Sequence, residues 1–278
     1  MDDAVEWTVR SVVPGGVVER GFRLTREAGA VPGVLWLPPA PVASPPAVVL
    51  LGHGGSGHKR SARNRALAGW FASRAGLAVL AIDGPYHGDR VPGPLTPRAY
   101  QARIAQEGIE AVLDRMADDW QSVLGALAAP GIVSADRLAY VGLSMGTRFG
   151  LPLAAALGTR LRCAVLGKFG LRQGPALDGG MAAPERAAAD ARRITAPVLF
   201  HVQRDDEIFP REGQLALFDA LGSQDKRLIC FDGPHTTTDP RAITRWHRFV
   251  SHHLTVDGSR PDDGPPAPNS RASPPPSP

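Results

Sequence analysis

The chain has 278 residues, 43% of them hydrophobic and 21% charged, a composition that supports a sizeable buried core and excludes a largely disordered protein. Its formal net charge of +4 comes mostly from arginines scattered along the chain. No dense Lys/Arg block is present, so no nucleic-acid partner is expected. The opening residues, Met1 to Glu6, are acidic and lack the basic-then-apolar order of a secretory signal. No apolar run is long enough to span a bilayer. The expectation is a cytoplasmic chain with no membrane partner.

The first segment alternates over Trp7–Val13, Val18–Arg26 and Val34–Leu37, punctuated by Pro14-Gly15-Gly16 and Pro38-Pro39. Alternation broken by Gly and Pro predicts antiparallel strands at a sheet edge. From residue 47 the texture changes. Unbroken apolar runs at Ala47–Leu51, Leu77–Ile82, Leu138–Gly142, Cys163–Leu166, Pro197–Val202 and Leu228–Phe231 read as strands buried on both faces. Between them lie helical patterns at Ala62–Arg74, Arg98–Ala128, Thr147–Leu157, Pro184–Ile194, Glu212–Leu221 and Arg241–Leu254. This strand–helix alternation predicts an α/β fold, with a mostly parallel sheet covered by helices on both faces. Cys163 and Cys230 fall inside strand-like runs and read as buried free thiols. After Thr255 the chain turns Pro-rich with almost nothing apolar, so residues 1–255 are expected to form the folded unit and 256–278 a disordered tail.

The strongest chemical signal is Gly142-Leu143-Ser144-Met145-Gly146, which follows one strand and precedes a helical pattern. In that context G-x-S-x-G makes a sharp turn that presents the serine as a nucleophile. Side chains at the two flanking glycine positions would collide with the neighbouring strand or helix. The helix that follows directs backbone N–H groups toward a developing oxyanion. A serine needs a base with an orienting acid, in the chain order Ser, acid, His. The strand Pro197–Val202 leads into Arg204-Asp205-Asp206-Glu207-Ile208-Phe209-Pro210, and Leu228–Phe231 leads into Asp232-Gly233-Pro234-His235-Thr236. After Ser144 the remaining histidines are His201, in a strand, and His247, His252 and His253, on the last helix. His235 is therefore the loop histidine available as the base, with Asp205 and Asp206 both open as its partner.

These motifs, with Gly52-His53-Gly54-Gly55 and Asp83-Gly84-Pro85-Tyr86-His87-Gly88-Asp89-Arg90, resemble the dienelactone-hydrolase-like branch of the α/β-hydrolase superfamily from about Val48 to Leu254. The resemblance implies the α/β-hydrolase fold and a Ser144–His235–Asp206 catalytic triad, because the family's acid opens a D-x-x-V-P-like turn. It also implies an oxyanion hole built by the Gly55 and Met145 N–H groups. It assigns His53 to shaping its turn, and the Asp83–Arg90 segment to a turn beside the active site. Thr147-Arg148-Phe149-Gly150-Leu151-Pro152 departs from the family's small residues, and Pro152 is expected to kink or interrupt its helix. The Gly-rich stretch from Gly167 to Ala183 is too short for a lid domain, which predicts an open cleft bordered by the Asp83–Tyr100 segment.

A rival pattern is Gly52-x-Gly54-x-x-Gly57, which fits a dinucleotide-binding turn with Asp83 as the ribose acid. Against it stand the strand-rich section that precedes it and a helix that begins only near Ser61. No spacing suggests a metal, and no cofactor is expected. The leading expectation is a serine hydrolase acting on a small-molecule carboxylic ester, lactone or thioester. The alternatives are a same-fold acyltransferase, lyase or cyclase, a non-catalytic binding protein, and a dinucleotide-binding oxidoreductase.

Overall fold

The alternating N-terminal section forms an antiparallel meander of β1 (Val5–Val13), β2 (Val17–Leu24) and β3 (Val31–Leu37). The computed structural model describes residues 5–39 and 44–255. The Pro-rich tail expected at 256–278 lies outside the described residues. The apolar runs become β4 (Val48–Gly52), β5 (Ala78–Ile82), β6 (Leu138–Gly142), β7 (Leu161–Gly167), β8 (Val198–Gln203) and β9 (Lys226–Phe231). They complete one nine-stranded sheet of order β1-β2-β3-β5-β4-β6-β7-β8-β9. Strands β4 to β9 pair in parallel, and β3 joins them antiparallel to β5.

Successive residues of the central strands face opposite cores, as a period of two requires. Val48 and Leu50 pack on the side of α3 (Ile109–Ala128), α4 (Met145–Leu157), α5 (Pro184–Arg193) and α6 (Arg211–Ala220). Val49 and Leu51 pack on the side of α1 (Ala62–Ala75) and α7 (Pro240–Thr255). From β4 the chain steps outward to β5 and then crosses back to β6 on the other side of β4. The loops after β4 and β6 therefore diverge, opening the crevice in which such sheets hold their ligands.

Two local expectations are corrected. The long helical pattern Arg98–Ala128 is two helices, α2 (Pro97–Glu107) and α3, divided at Gly108. Gly108 has φ +94°, a conformation that ends a helix and that glycine adopts without a Cβ clash. Pro152 does not interrupt α4, which is continuous from Met145 to Leu157. A proline there removes one backbone donor. The helix is held from outside instead, since all but one of its residues are buried. Of the two cysteines, Cys163 is fully buried and its thiol pKa is pushed up by that burial, whereas Cys230 on the edge strand β9 is half-buried.

At the end of β5, Asp83 is fully buried beneath the turn that follows. Its carboxylate accepts the Lys59 Nζ at 2.5 Å, the Lys59 backbone N–H at 2.8 Å and the Asp89 N–H at 2.9 Å, while its carbonyl accepts Arg90 Nε at 2.8 Å. Each carboxylate oxygen is thus occupied by the protein, which removes the ribose-binding role of the dinucleotide pattern. A buried ion pair broken on one side leaves the other charge uncompensated, at a cost of about 3–5 kcal/mol. We predict that Asp83→Asn lowers the free energy of unfolding by about that amount in urea titration. A loss below about 1 kcal/mol would show that Asp89 alone suffices to hold Lys59.

Candidate active site

Ser144 stands between β6 and α4 with φ 60° and ψ −122°, a left-handed conformation that costs a non-glycine residue about 1–3 kcal/mol. Crowding around it explains the neighbouring glycines. A Cβ on Gly142 would come within 2.7 Å of the Gly146 carbonyl oxygen, and one on Gly146 within 2.9 Å of the Gly52 oxygen. Thr147 fastens the turn from behind. Its hydroxyl lies 2.8 Å from both the Gly142 and Gly167 carbonyls and accepts the Gly167 N–H at 2.8 Å. The Ser144 N–H donates to the Gly167 carbonyl at 2.9 Å, tying the turn to the end of β7.

The structure brings Ser144, His235 and Asp206 into one hydrogen-bonded chain. Ser144 Oγ lies 2.8 Å from His235 Nε2, and His235 Nδ1 lies 2.7 Å from Asp206 Oδ2. Asp206 Oδ1 accepts the N–H groups of Ile208 at 2.9 Å and Phe209 at 2.8 Å, which fixes the carboxylate and leaves Oδ2 for the imidazole. Asp205 turns elsewhere and accepts the Gly233 N–H at 2.8 Å. Glu207 accepts the His235 backbone N–H at 2.9 Å, a bond that lowers its carboxyl pKa. Three consecutive acids therefore each hold a separate point of the histidine loop.

Gly55 and Met145 sit against each other across the crevice. A Cβ on Gly55 would meet Tyr100 Oη at 2.4 Å and lie in contact with Met145 Sδ at 4.0 Å, so a side chain there would have to displace the Tyr100 hydroxyl. Met145 is the first residue of α4, where a backbone N–H has no intrahelical acceptor. Among the described residues neither the Gly55 nor the Met145 N–H donates to a protein group. The Gly54–Gly55 peptide is pinned from below. The Gly54 carbonyl accepts His53 Nδ1–H at 2.8 Å and Gly57 N–H at 2.9 Å, while His53 Nε2 accepts the Gly84 N–H at 2.8 Å. His87 extends the same network, reaching the Gly55 carbonyl at 2.8 Å and the Pro85 carbonyl at 2.7 Å. The Asp83–Tyr100 segment thus supports this loop and does not merely border the cleft.

No family model matches the chain, and no curated protein matches it in sequence. Solved structures do match. A cold-adapted esterase from an Arctic intertidal metagenomic library, in its polyethylene-glycol-bound form, is 30% identical, with a TM-score of 0.75 over 90% of this chain and 99% of that one. The chain belongs to the esterases of the α/β-hydrolase fold. The fold is shared at lower identity by an acetyl xylan esterase from Paenibacillus sp. R4, 19% identical with TM-score 0.67 over 91% of this chain and 90% of that one. It is shared also by an S-formylglutathione hydrolase from Agrobacterium tumefaciens, 16% identical with TM-score 0.62 over 90% and 99% of the two chains.

Within this α/β-hydrolase esterase the departure at Thr147–Pro152 has a structural use. Arg148 is buried, and its guanidinium bonds the Met181 carbonyl, reaches Gln173 Oε1 at 3.3 Å and lies 5.1 Å from the centre of the Phe169 ring. It clamps the short Gly167–Ala183 segment onto α4. Reading the sequence alone marked this arginine as a departure but missed its clamping bonds, along with the bonds of Asp205 and Glu207 to the histidine loop and Lys168, whose Nζ donates to the Thr237 carbonyl at 2.6 Å. Lys168 did carry a signal, as a lysine directly following an apolar strand at the carboxyl end of a parallel sheet. Among the described residues no group of three or more His, Cys, Asp or Glu side chains is placed to hold a metal ion. Nor is any helix there long and apolar enough to cross a membrane.

Burial holds the His53 pKa down to about 3, so its ring is neutral, with the proton on Nδ1 facing the Gly54 carbonyl. Because the folded value lies below the ordinary one, the unfolded chain takes up a proton at His53 that the folded chain refuses. Stability therefore falls as pH drops from about 6.5 toward 3. We predict that 15N NMR finds a neutral Nδ1–H tautomer at His53 at pH 5, where an exposed histidine is mostly charged. An imidazolium signature at that pH would contradict the arrangement.

Proposed function

We propose that this esterase-fold chain is a serine hydrolase of carboxylic esters that works through an acyl-enzyme on Ser144. The observation that carries the reading is the unbroken bond path from Ser144 Oγ through His235 to Asp206, at 2.8 and 2.7 Å. Ser144 Oγ attacks the substrate carbonyl carbon while its proton passes to His235 Nε2. Asp206 keeps Nδ1 protonated, so that Nε2 presents a lone pair to the serine, and stabilises the imidazolium that forms. The carbonyl oxygen becomes an oxyanion facing the unpaired N–H groups of Gly55 and Met145. On collapse the bond to the leaving alkoxide breaks, and that oxygen takes the proton from Nε2. Water then attacks the acyl-serine, giving its proton to His235, and the carboxylic acid departs as Ser144 regains its proton. The similarity to a 30%-identical esterase supports ester cleavage as the reaction class.

A fluorophosphonate probe tests the nucleophile. Intact-mass analysis is expected to find one adduct on the wild-type chain and none on Ser144→Ala, which keeps its fold and loses turnover. A wild-type chain that is folded and unlabelled would overturn the reading. The acid is tested by comparing two neighbours. Asp206→Asn is expected to lower kcat by roughly 10³–10⁴-fold, because the imidazole loses the partner that fixes its tautomer. Asp205→Asn, which loosens only the bond to Gly233, is expected to stay within about tenfold of wild type. The reverse order would move the acid to Asp205.

A further inference from the structure

One buried lysine takes no part in the proton path yet bonds both the strand that leads into the acid loop and the histidine loop itself. Lys168 follows the last residue of β7, is 3% exposed, and has φ +46°, one of three non-glycine residues with positive φ among the described residues. Its backbone N–H donates to the His201 carbonyl of β8 at 2.8 Å, at the strand that leads into the acid loop. The residue before it, Gly167, accepts the Ser144 N–H at 2.9 Å. Its side chain crosses to the third loop, where Nζ donates to the Thr237 carbonyl at 2.6 Å, two residues beyond His235. No room is left for slack at this junction, since a Cβ on Gly167 would overlap the His201 backbone at 2.1 Å.

We propose that Lys168 is a positioning residue, whose ammonium ties the end of β7 to the histidine loop and so holds His235 Nε2 against Ser144 Oγ. The inference rests on the Ser144–His235–Asp206 reading and adds to it the element that sets its alignment. A left-handed lysine held in place by backbone bonds on one side and a single carbonyl on the other is strain retained at a site where geometry matters. A carbonyl is a stronger acceptor for an ammonium than for a neutral amine, so the tie is strongest while Lys168 is charged. The charged and titratable groups around it pull in both directions. Burial and the guanidinium of Arg63 on α1 lower its pKa, Asp206 and Glu207 of the acid loop raise it, and the result is about 8. His201 of β8 is kept neutral by its own burial, with a pKa of about 4, and His235 faces the same junction from the loop that Lys168 holds. As pH rises through about 8 the ammonium is lost and the histidine loop loosens.

The test is a kcat and KM profile on a neutral p-nitrophenyl ester from pH 6 to 10. Wild type, Lys168→Met and Lys168→Gln are compared, and each is also timed for labelling by a fluorophosphonate. Wild type is expected to lose kcat above about pH 8. Lys168→Met is expected to have kcat about ten- to a hundred-fold lower, KM within about threefold, and no alkaline fall. Lys168→Gln, which keeps an uncharged donor, is expected to lie between the two in kcat and likewise to show no alkaline fall. A Lys168→Met enzyme with wild-type kcat, wild-type labelling rate and the same alkaline fall would overturn the proposal. So would a wild-type kcat that stays flat to pH 10, a result that holds even where the variants do not fold. Wild type that is not labelled at all counts against Ser144 as nucleophile, whereas wild type and Lys168→Met labelled at equal rates counts against Lys168 alone.

Discussion

The site depends on one constraint, the close approach of three strand ends around Ser144. Strands β4, β6 and β7 finish at Gly52, Gly142 and Gly167, and the first turn of α4 wedges Gly146 between the first two. A Cβ at Gly52, Gly142 or Gly146 would drive the start of α4 off the strand ends, and one at Gly167 would strike the His201 backbone of β8. Within this crowding Ser144 takes its left-handed turn, with φ 60°. Once the turn is fixed, the rest follows from parallel-sheet geometry. The loop after β4 lies over the helix start, and the loops after β8 and β9 rise beside the serine on the other side. The strain at Ser144 is carried by this crowding and by the bonds of Thr147, so it does not depend on a ligand.

Around that turn the protein divides its polar groups by what each must do. His53 is buried deeply enough to stay neutral, and it acts as a fixed donor and acceptor that sets a peptide plane. Asp83 is buried as an ion with its own lysine and anchors the turn beneath His87. His235 alone is placed between a hydroxyl and a carboxylate, where a proton can be passed on. Titratable groups within a small volume therefore have separate work, assigned by burial and by the number of donors each one faces.

Much of this was legible from residue order. The unbroken apolar runs located the parallel strands, because a strand buried on both faces admits no polar alternation. G-x-S-x-G between a strand and a helix located the turn, and the order of loops located His235. What sequence reading failed to resolve were conflicts between local rules and packing. Gly108 sits in the middle of apolar periodicity that continues on both sides, so the pattern hid a break that only its backbone angle reveals. Pro152 breaks a local rule that the burial of its helix overrides. The partners of Arg148 and Lys168 were out of reach for another reason. They lie 33 and 69 residues away, and a hydrogen bond to a backbone carbonyl leaves no trace in the identity of the residue that accepts it.

The ladder of Asp205, Asp206 and Glu207 against the histidine loop has a consequence for anyone reshaping this enzyme. The two loops are not separable modules. Asp205, Asp206 and Glu207 lie in the turn after β8 and each meets a different point of the histidine loop, so an insertion or deletion of one residue in 204–207 would present the imidazole with a neighbouring acid of the wrong length or direction. Combinatorial libraries aimed at a new specificity should leave this pair of loops intact or vary both together. The Gly167–Ala183 segment is no freer at its start, where Gly167 and Lys168 bond Ser144 and His201 and the Leu171 and Gly174 N–H groups donate to Gly213 and Ile208, while Arg148 clamps its far end onto α4.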